Sequence, residues 1–580
     1  MFVPSKSYRQ NTGQNISAFY GINRRRKAGI GEFRDMENLF TREEYPCLSS
    51  VRGVKNIQIE LPEGAEIIKY MPLMFGVWDS TKFSGIAKLT EGTGDEATVK
   101  YAIYINGVKK RDDITEYSQA IDFGGSIITL PEMKGYNYLV QGGDPGIDFD
   151  IEKLKNIEPA TITFKQGVTF EKPSSTPGTV GEFYLTFKNS LPTYGKFYET
   201  FKTGDVIAFS GAGIYNTIYP ATSQDYTQRQ KPVVITIVEM SDTVDAAASI
   251  VKLSVMDVMG LSNLGLSRGT TIPLSSGFTI SKLIPQAAQA AAYSNRLWVT
   301  AKSGESVYVS ALAKPFDFYI QDGLADASST VPVSTPGEFV GINAWDNRVL
   351  AFKNESVSVI YGTDPTEYAA YKTYDIGCID GDSIAESGNM LIWLYHDGFY
   401  AFAGGEPQRI SDKLNTKYVG AQAFSTNRIY YARAEKEDGT HELLTYDTEL
   451  NVWNKLTDAE FLNAFYFGGK TYIVQAGGLK EINGGGYGDF YAETGDITFD
   501  SFNNKSIVYF YIRCEIASGF INLYTKTDGG NWEMHKGIEK SGKHKIPIRY
   551  KSGDSIAFRI EGSGKVYIDD MKLMINDEVR

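Results

Sequence analysis

Cysteine and histidine are scarce in this chain. Its 580 residues include three cysteines, Cys47, Cys378 and Cys514, and four histidines. The cysteines lie far apart in the sequence and are odd in number, which indicates reduced thiols rather than a disulfide framework or a CxxC metal motif. No two histidines have the spacing of a zinc-binding helix. We therefore expect no metal site, no cofactor and no histidine-based catalytic centre.

Long apolar runs and an excess of positive charge are also missing. No run of 18 apolar residues is present, which predicts no membrane span, and residues 1–6 lack the apolar core of a signal peptide. Asp and Glu number 70 against 58 Lys and Arg, so the formal net charge is −12. An acidic chain is a poor candidate for coating a nucleic-acid backbone. We expect the protein to act where it is made, or to leave only inside a larger assembly.

Glycine and aromatic residues are plentiful. The chain has 58 Gly, 37 Tyr and 32 Phe, and 42% of its residues are hydrophobic. Tyrosine and phenylalanine favour strands, and glycine favours tight turns. At roughly 150 residues per domain, the length indicates about four domains. The composition therefore predicts an all-β protein of several domains.

A hairpin-like unit recurs between residues 285 and 480. Each unit is a polar turn followed by a strand that begins near Leu297, Val349, Leu391, Ile429 or Thr471, at steps of 52, 42, 38 and 42 residues. Such spacing is typical of β-propeller blades, which stack because a four-stranded sheet cannot bury both faces alone. Strands between residues 48 and 130 would complete the circle. The alternative is a series of unrelated hairpins in a sandwich.

Changes in composition divide the chain into four regions. Residues 1–135 would hold an N-terminal arm and the first propeller strands, 136–282 an inserted β domain, 283–483 the blades, and 484–580 a C-terminal jelly-roll-like β-sandwich. Residues 34–39 and the alanine-rich segment 287–292 predict short helical turns. The predicted fold is thus an all-β propeller with an inserted β domain and a C-terminal β module.

Few motifs suggest catalysis. Residues 381–383 read Gly-Asp-Ser, like the nucleophile tripeptide of some esterases, and His396 is the one nearby histidine. A Gly-Asp turn between blades is the favoured interpretation. Carboxylates such as Asp380 and Asp382 lack the context that a glycosidase pair would need. We expect no catalytic residue and no enzyme activity.

Aromatic residues in the C-terminal module suggest a weaker hypothesis, glycan binding. Residues 525–532 resemble the Asp-box turn of sialidases, but Lys526 stands where that pattern has Ser or Thr. Residues 568–573 resemble the last strand of carbohydrate-binding jelly rolls. Tyr524, Trp532 and Tyr567 would then form a sugar platform. Otherwise they lie in the core or at an interface.

Four consecutive cations, Arg24, Arg25, Arg26 and Lys27, stand near the N-terminus. Four charges add only a small, salt-dependent attraction to DNA. A solvated loop or a salt-bridged contact with an acidic neighbouring subunit is the favoured interpretation. We predict a subunit or DNA contact at these residues.

Several segments resemble one protein family. They are residues 31–39 (Gly-Glu-Phe-Arg-Asp-Met-Glu-Asn-Leu), residues 45–53 with their Pro-x-Leu-x-x-Arg-x-Gly pattern, and the blade segments 293–298, 307–310 and 315–319. Together they resemble the tail nozzle (tubular tail) proteins of short-tailed bacteriophages, including related phage stabilisation proteins. The resemblance covers about residues 15–55 and 285–480.

The resemblance implies a structural virion protein. In that family a propeller with inserted β domains forms a hexameric ring below the portal and adaptor, and double-stranded DNA passes through it without sequence specificity. The protein would then be assembled in the host cytoplasm, reside in the virion tail, and support genome retention and ejection. Carboxylates lining the channel would repel DNA rather than bind it. The alternatives are a receptor- or glycan-binding tail protein and a propeller glycosidase.

Overall fold

The computed structural model describes residues 10–26, 29–42, 47–73, 79–91, 98–139, 287–300, 304–318, 324–426, 428–475, 477–499, 503–548 and 552–577, with short segments between 161 and 282. Two compact units are present. One comprises residues 1–113, 352–357 and 373–580, and the other residues 114–351 and 358–372.

The first unit begins with short strands. They are β1 (Gln10–Ile16), β2 (Asp35–Glu37), β3 (Leu39–Arg42), β4 (Cys47–Ser50) and β5 (Lys55–Ile57). A four-stranded antiparallel sheet follows, formed by β6 (Ala65–Tyr70), β7 (Gly85–Glu91), β8 (Thr98–Ile105) and β9 (Val108–Ile114).

The second unit holds two complete small sheets and the inserted sheet. The first small sheet is β10 (Gln119–Phe123), β11 (Ser126–Leu130) and β12 (Lys134–Asn137). The inserted strands are β13 (Thr161–Phe164), β14 (Val168–Glu171), β15 (Glu182–Phe187), β16 (Val206–Ser210), β17 (Val233–Met240), β18 (Ser249–Ser254), β19 (Thr271–Leu274) and β20 (Phe278–Lys282). They pair in the order β13-β20-β16-β17-β18-β15-β14-β19. The second small sheet is β21 (Gln289–Tyr293), β22 (Arg296–Thr300), β23 (Ser306–Val309) and β24 (Ser329–Pro332).

Four further small sheets continue the series. One is β25 (Phe339–Trp345), β26 (Arg348–Lys353), β27 (Val357–Tyr361) and β28 (Ala369–Tyr374). After a 3-10 turn at Gly381–Ser383 comes β29 (Ala385–Ser387), β30 (Met390–Tyr395), β31 (Gly398–Phe402) and β32 (Gln408–Arg409). The next is β33 (Tyr418–Thr426), β34 (Ile429–Lys436), β35 (His441–Asp447) and β36 (Val452–Leu456). In the last, β37 (Asn463–Phe467), β38 (Lys470–Gln475) and β39 (Gly478–Glu481) are completed by β5.

These small sheets are the blades of a β-propeller, as the sequence repeat predicted. Within the described residues there are seven of them, each a meander of strands joined in chain order apart from the contribution of β5. The recurring polar turn joins the first two strands of a blade. Asn295, Asp346 and Gly468 there have φ of 54°, 54° and 58°. Such backbone angles suit asparagine, aspartate and glycine in tight hairpins, which explains the recurrence in the sequence.

The C-terminal module is a sandwich of two antiparallel sheets. Its strands are β40 (Asp489–Glu493), β41 (Lys505–Ile516), β42 (Phe520–Thr527), β43 (Glu533–Ile538), β44 (Gly542–Pro547), β45 (Ile556–Ser563) and β46 (Val566–Asp577). Sheet A has the order β3-β4-β46-β41-β44, with β1 also paired to β46, and sheet C has the order β2-β40-β45-β42-β43. Alternating apolar residues of both sheets meet in the core, where the Phe510 and Phe558 rings lie 5.3 Å apart.

Strands β1 to β4 belong to this sandwich, whereas β5 belongs to a propeller blade. Strand β1 pairs with β46 over seven residues, and β2 pairs with β40. The helical turn predicted at residues 34–39 is wrong, because this segment forms β2 and the start of β3. Asn38, with φ of 58°, separates the two strands, and its side-chain amide donates to the Asp489 carbonyl at 2.8 Å.

The helical turn predicted at residues 287–292 is also wrong. Strand β21 covers most of that segment and pairs with β22 from Gln289 to Tyr293. Ala290 and Ala291 are buried, so these small side chains pack against neighbouring residues. Tertiary packing has overridden the helical preference of alanine.

Candidate functional site

A concentration of paired charge lies where the N-terminal segment meets the blade β33–β36 and the sandwich. The backbone N–H of Ile22 donates to the Trp453 carbonyl at 2.8 Å, and the N–H of Arg34 donates to the Glu493 carbonyl at 2.8 Å. Ile22 therefore bonds to a blade, and Arg34 bonds to a sandwich strand. Six side chains form a network here, which we call the ionic joint: Arg24, Asp35, Tyr418, Glu442, Lys455 and Tyr491.

Arg24 occupies one half of the ionic joint. Its guanidinium donates to both carboxylate oxygens of Glu442, at 2.7 and 2.9 Å, and the Tyr418 hydroxyl donates to the same carboxylate. The side chain of Glu442 is 6% exposed and that of Arg24 is 16% exposed. A bidentate pair of this kind combines strength with a defined geometry.

Asp35 occupies the other half. Its carboxylate accepts from Lys455 Nζ at 2.8 Å and from the Tyr491 hydroxyl at 2.6 Å. Arg24 Nη2 approaches the same carboxylate at 3.4 Å, which links the two halves. The two carboxylates thus accept hydrogen bonds from the two cations and the two phenols. Up to 456 residues separate these partners along the chain.

The charged forms in the ionic joint are stabilised by their partners. Burial alone would raise the pKa of Glu442, but Arg24, Tyr418 and Lys436 lower it from 4.5 to about 2. Burial opposes ionisation of Asp35 too, yet Lys455, Tyr491 and Arg24 lower its pKa. Burial and the Asp35 carboxylate raise the pKa of Tyr491 to about 12. At neutral pH the carboxylates are therefore ionised and the phenols are protonated donors.

The predicted basic contact divides into residues with different surroundings. Arg24 forms an ion pair with Glu442 of its own chain. Arg25 is half-exposed and pairs with Asp412 at 3.2 Å, and Arg26 is exposed. Lys27 lies outside the described residues. Arg25 and Arg26 thus remain the predicted contact with another subunit or with DNA.

The Gly-Asp-Ser tripeptide forms a short 3-10 turn between blades. The buried Ser383 hydroxyl donates to the Asp380 carbonyl at 2.6 Å and accepts from the Leu394 N–H at 2.9 Å. His396 is paired instead with Glu355, at 3.4 Å. Ser383 therefore acts as a local hydrogen-bonding residue of the turn, which agrees with the interpretation favoured from the sequence.

The structure does not bring the three predicted glycan-contact residues together. Tyr524 lies on β42 of sheet C, and Trp532 lies just before β43, with Lys526 Nζ 4.6 Å from its ring centre. Tyr567 lies on β46 in sheet A, the opposite sheet. The Asp-box-like segment is a hairpin: Asp528 has φ of 49° and accepts from the Ser555 N–H at 2.9 Å.

Neither a metal-binding cluster nor a membrane-spanning helix is found among the residues that the structure describes. No group of three or more His, Cys, Asp or Glu residues there has an arrangement that would hold a metal ion. No helix in the same residues has both the length and the apolar character needed to cross a bilayer.

Sequence reasoning missed most of the ionic joint. It singled out Arg24 but none of Glu442, Lys455 or Tyr491. Strand β35 does contain a signal of a buried charge. Glu442 precedes five buried residues, and the segment between Glu442 and Asp447 is apolar or neutral. A buried carboxylate at the start of such a strand indicates that a cation lies next to it. The sequence does not identify that cation.

No protein-family model matches this chain. No curated protein matches it either. Solved structures that it resembles include Hsv2 from Kluyvelomyces marxianus, with 9% identity over 49% of this chain and 73% of that one, and a TM-score of 0.24. A structure described as a glycoside hydrolase shares 12% identity over 48% of this chain and 83% of that one, with a TM-score of 0.16.

Another similar structure is a family 29 carbohydrate-binding module. It shares 17% identity with this chain, covers 18% of this chain and 73% of the module, and has a TM-score of 0.10. All three TM-scores lie below 0.5, so the likenesses carry no inference about what this protein binds or does.

Proposed function

We propose that this protein is a structural protein of a bacteriophage tail, the nozzle or hub that continues the DNA channel below the portal and adaptor. In this proposal copies of the chain form a ring, with a hexamer expected, in the virion tail after assembly in the host cytoplasm. Double-stranded DNA passes through the ring without being read. The chain serves as architecture and not as an enzyme.

One observation supports the proposal: a segment that resembles the family connects a blade with the sandwich. Residues 31–39 and 45–53 overlap strands β2, β3 and β4 and include Asp35 of the ionic joint. The joint fastens blade residues and a sandwich residue to the N-terminal segment through fully paired charges. Such a connection supports a role in which domains must keep a fixed geometry under load.

The net charge is consistent with passage of DNA. A chain with a formal charge of −12 repels a polyanion at long range, so DNA would slide past it rather than be held. Neighbouring copies in a ring make heterologous contacts, and exposed cations such as Arg25 and Arg26 are suited to meet an acidic surface of the next copy.

The test is the assembly state of the full chain. Mass photometry and negative-stain electron microscopy, over a range of protein concentrations at low and moderate salt, should reveal closed rings with a central opening. Reversing two exposed charges in Arg25→Glu/Arg26→Glu should reduce the ring fraction. The matched control, Lys540→Glu on the exposed loop before β44, should not.

Persistence of monomers at every concentration and salt condition would contradict the proposal. Turnover of a polysaccharide by those monomers, lost on changing a single carboxylate, would favour the glycosidase alternative. Rings that form equally well with the reversed charges would retain the structural role but remove Arg25 and Arg26 from the interface.

A further inference from the structure

The outer surface of sheet A carries an ordered array of tyrosines and cations. Strands β1, β46, β41 and β44 lie side by side, and their register places residues in rows across the sheet. The first row is Gly13, Met574, Tyr509 and Pro547; the second is Asn15, Lys572, Tyr511 and Lys545; the third contains Asp570, Arg513 and Lys543. We call these three rows the tyrosine–lysine face.

The tyrosine–lysine face is positively charged in an acidic protein. Its rows contain four cations, Arg513, Lys543, Lys545 and Lys572, and one carboxylate, Asp570, which gives a local charge of 4 − 1 = +3. The formal charge of the whole chain is −12. Beyond the third row two acidic side chains, Glu515 and Asp569, end the basic region, and Asp569 interacts electrostatically with Arg513 and Asp570. Such a local reversal of sign favours an anionic ligand.

Aromatic rings stand between the cations. Tyr509 and Tyr511 project from alternate positions of β41, and their ring centres are 6.3 Å apart. Lys545 Nζ lies 3.8 Å from the Tyr509 ring centre, and Lys543 Nζ lies 5.8 Å from that of Tyr511. The ammonium groups therefore lie beside the rings, which places stacking surfaces next to positive charge.

A cavity of about 440 Å³ opens on the same face. Its size lies within the range typical of small-ligand sites. Its lining includes Asn15, Tyr511, Arg513, Lys543, Asp570 and Lys572. Gly13 lies in the adjoining first row, where a Cβ would lie 2.6 Å from Cε of the flexible Lys572 side chain and would displace it.

The chemistry of this lining fits an acidic sugar. A tyrosine ring stacks on the apolar face of a pyranose, and ammonium groups pair with a carboxylate. Asn15 and Asp570 supply the amide and carboxylate acceptors that sugar hydroxyls need as partners. A continuous single-stranded nucleic acid would need a longer basic groove than these rows provide.

We propose that the tyrosine–lysine face binds an acidic polysaccharide of the uronic-acid type. One sugar unit occupies the cavity over Tyr511, with its carboxylate between Lys543 and Lys572. The next units extend along the second row, which spans three strand spacings, or about 14 Å. This inference goes beyond the proposed tail role and does not depend on ring formation.

The test uses the full chain and a defined set of polymers. Binding to polygalacturonate, alginate and hyaluronate is measured by calorimetry at low salt, with dextran as the neutral polymer. At least one acidic polymer should bind and dextran should not. Affinity should fall roughly tenfold in Lys543→Gln/Lys572→Gln, because hydrogen bonds to charged groups are lost. A similar loss is expected in Tyr511→Leu.

The matched control is Lys536→Gln on β43, an exposed lysine of sheet C, which should bind like the unchanged protein. Thermal unfolding of every variant verifies folding, and the single variant Lys543→Gln, on an exposed position of β44, serves if a double variant unfolds. Its affinity should fall severalfold.

Three results would overturn the proposal. The first is no binding to any of the acidic polymers. The second is binding that the Lys543 and Tyr511 variants leave unchanged. The third is tighter binding of a single-stranded DNA oligonucleotide than of every polysaccharide, which would assign the face to nucleic acid. Self-association that these variants abolish, without polysaccharide binding, would assign it to a second copy of the chain.

Discussion

The ionic joint and the tyrosine–lysine face use the same kinds of side chain for different ends. In the joint, Arg24 and Lys455 are matched by two carboxylates and two phenols and are largely removed from water. On the face, cations outnumber carboxylates, and the Arg513–Asp570 pair is about half-exposed. The surroundings of a cation decide whether it is paired and largely buried within the fold or stays exposed at the surface. Residue type and sequence neighbours do not decide it.

The largest effect is expected when an anion is removed from the ionic joint. Glu442→Ala would leave Arg24 buried without its main partner, which typically costs about 3–5 kcal/mol of folding free energy. We expect a large drop in the urea midpoint of the unit that holds the joint. Arg25→Ala is the matched control, because the Arg25–Asp412 pair is half-exposed and such pairs contribute about 0–1 kcal/mol. Equal losses in the two variants would show that the joint is not a stabilising element.

The second effect is expected when the ionic joint is titrated. The pKa of Glu442 is about 2 in the folded chain against an ordinary 4.5, and that of Asp35 is lowered as well. A lowered folded-state pKa means that the unfolded chain binds protons first. The stabilisation is therefore complete above the unfolded-state pKa and is lost as the pH falls through the folded-state value.

The expected result is a steep loss of thermal stability between about pH 5 and pH 2. Glu442→Gln should flatten part of that pH dependence, since its amide does not titrate. Thermal unfolding followed by circular dichroism at half-unit steps of pH measures both profiles. Identical slopes for the variant and the unchanged protein would mean that other carboxylates dominate acid unfolding.

The smallest effect on stability is expected when a cation is removed from the tyrosine–lysine face. Lys545→Gln removes a cation from the tyrosine–lysine face, where Lys545 is exposed and lies over Tyr509. Its cation–π contact contributes about 0.5–1 kcal/mol at an exposed site. We expect the urea midpoint to change little, in contrast to Glu442→Ala. A loss as large as that of the joint variant would reveal that the face is structural rather than a binding surface.

Some features of this protein follow from local sequence alone. The polar turns near Asn295 and Asp346 determine hairpins because their backbone angles suit few residue types. The alternation of large apolar residues in β45, with Ile556, Phe558 and Ile560 buried, follows from the two-residue period of a strand. These short-range rules explain why the all-β class, the propeller repeat and the C-terminal module were predictable.

Only the tertiary structure decided the rest. Pairing with β40 made residues 35–37 a strand, and pairing with β22 did the same for the alanines of β21. Arg24 pairs with Glu442, which lies 418 positions away in the sequence. The rows of the tyrosine–lysine face join residues 10–16 to the last strand of the chain. Local sequence specifies the period of each strand, but it does not encode which distant strand lies alongside. Burial and charge pairing between distant strands determine which strands lie side by side.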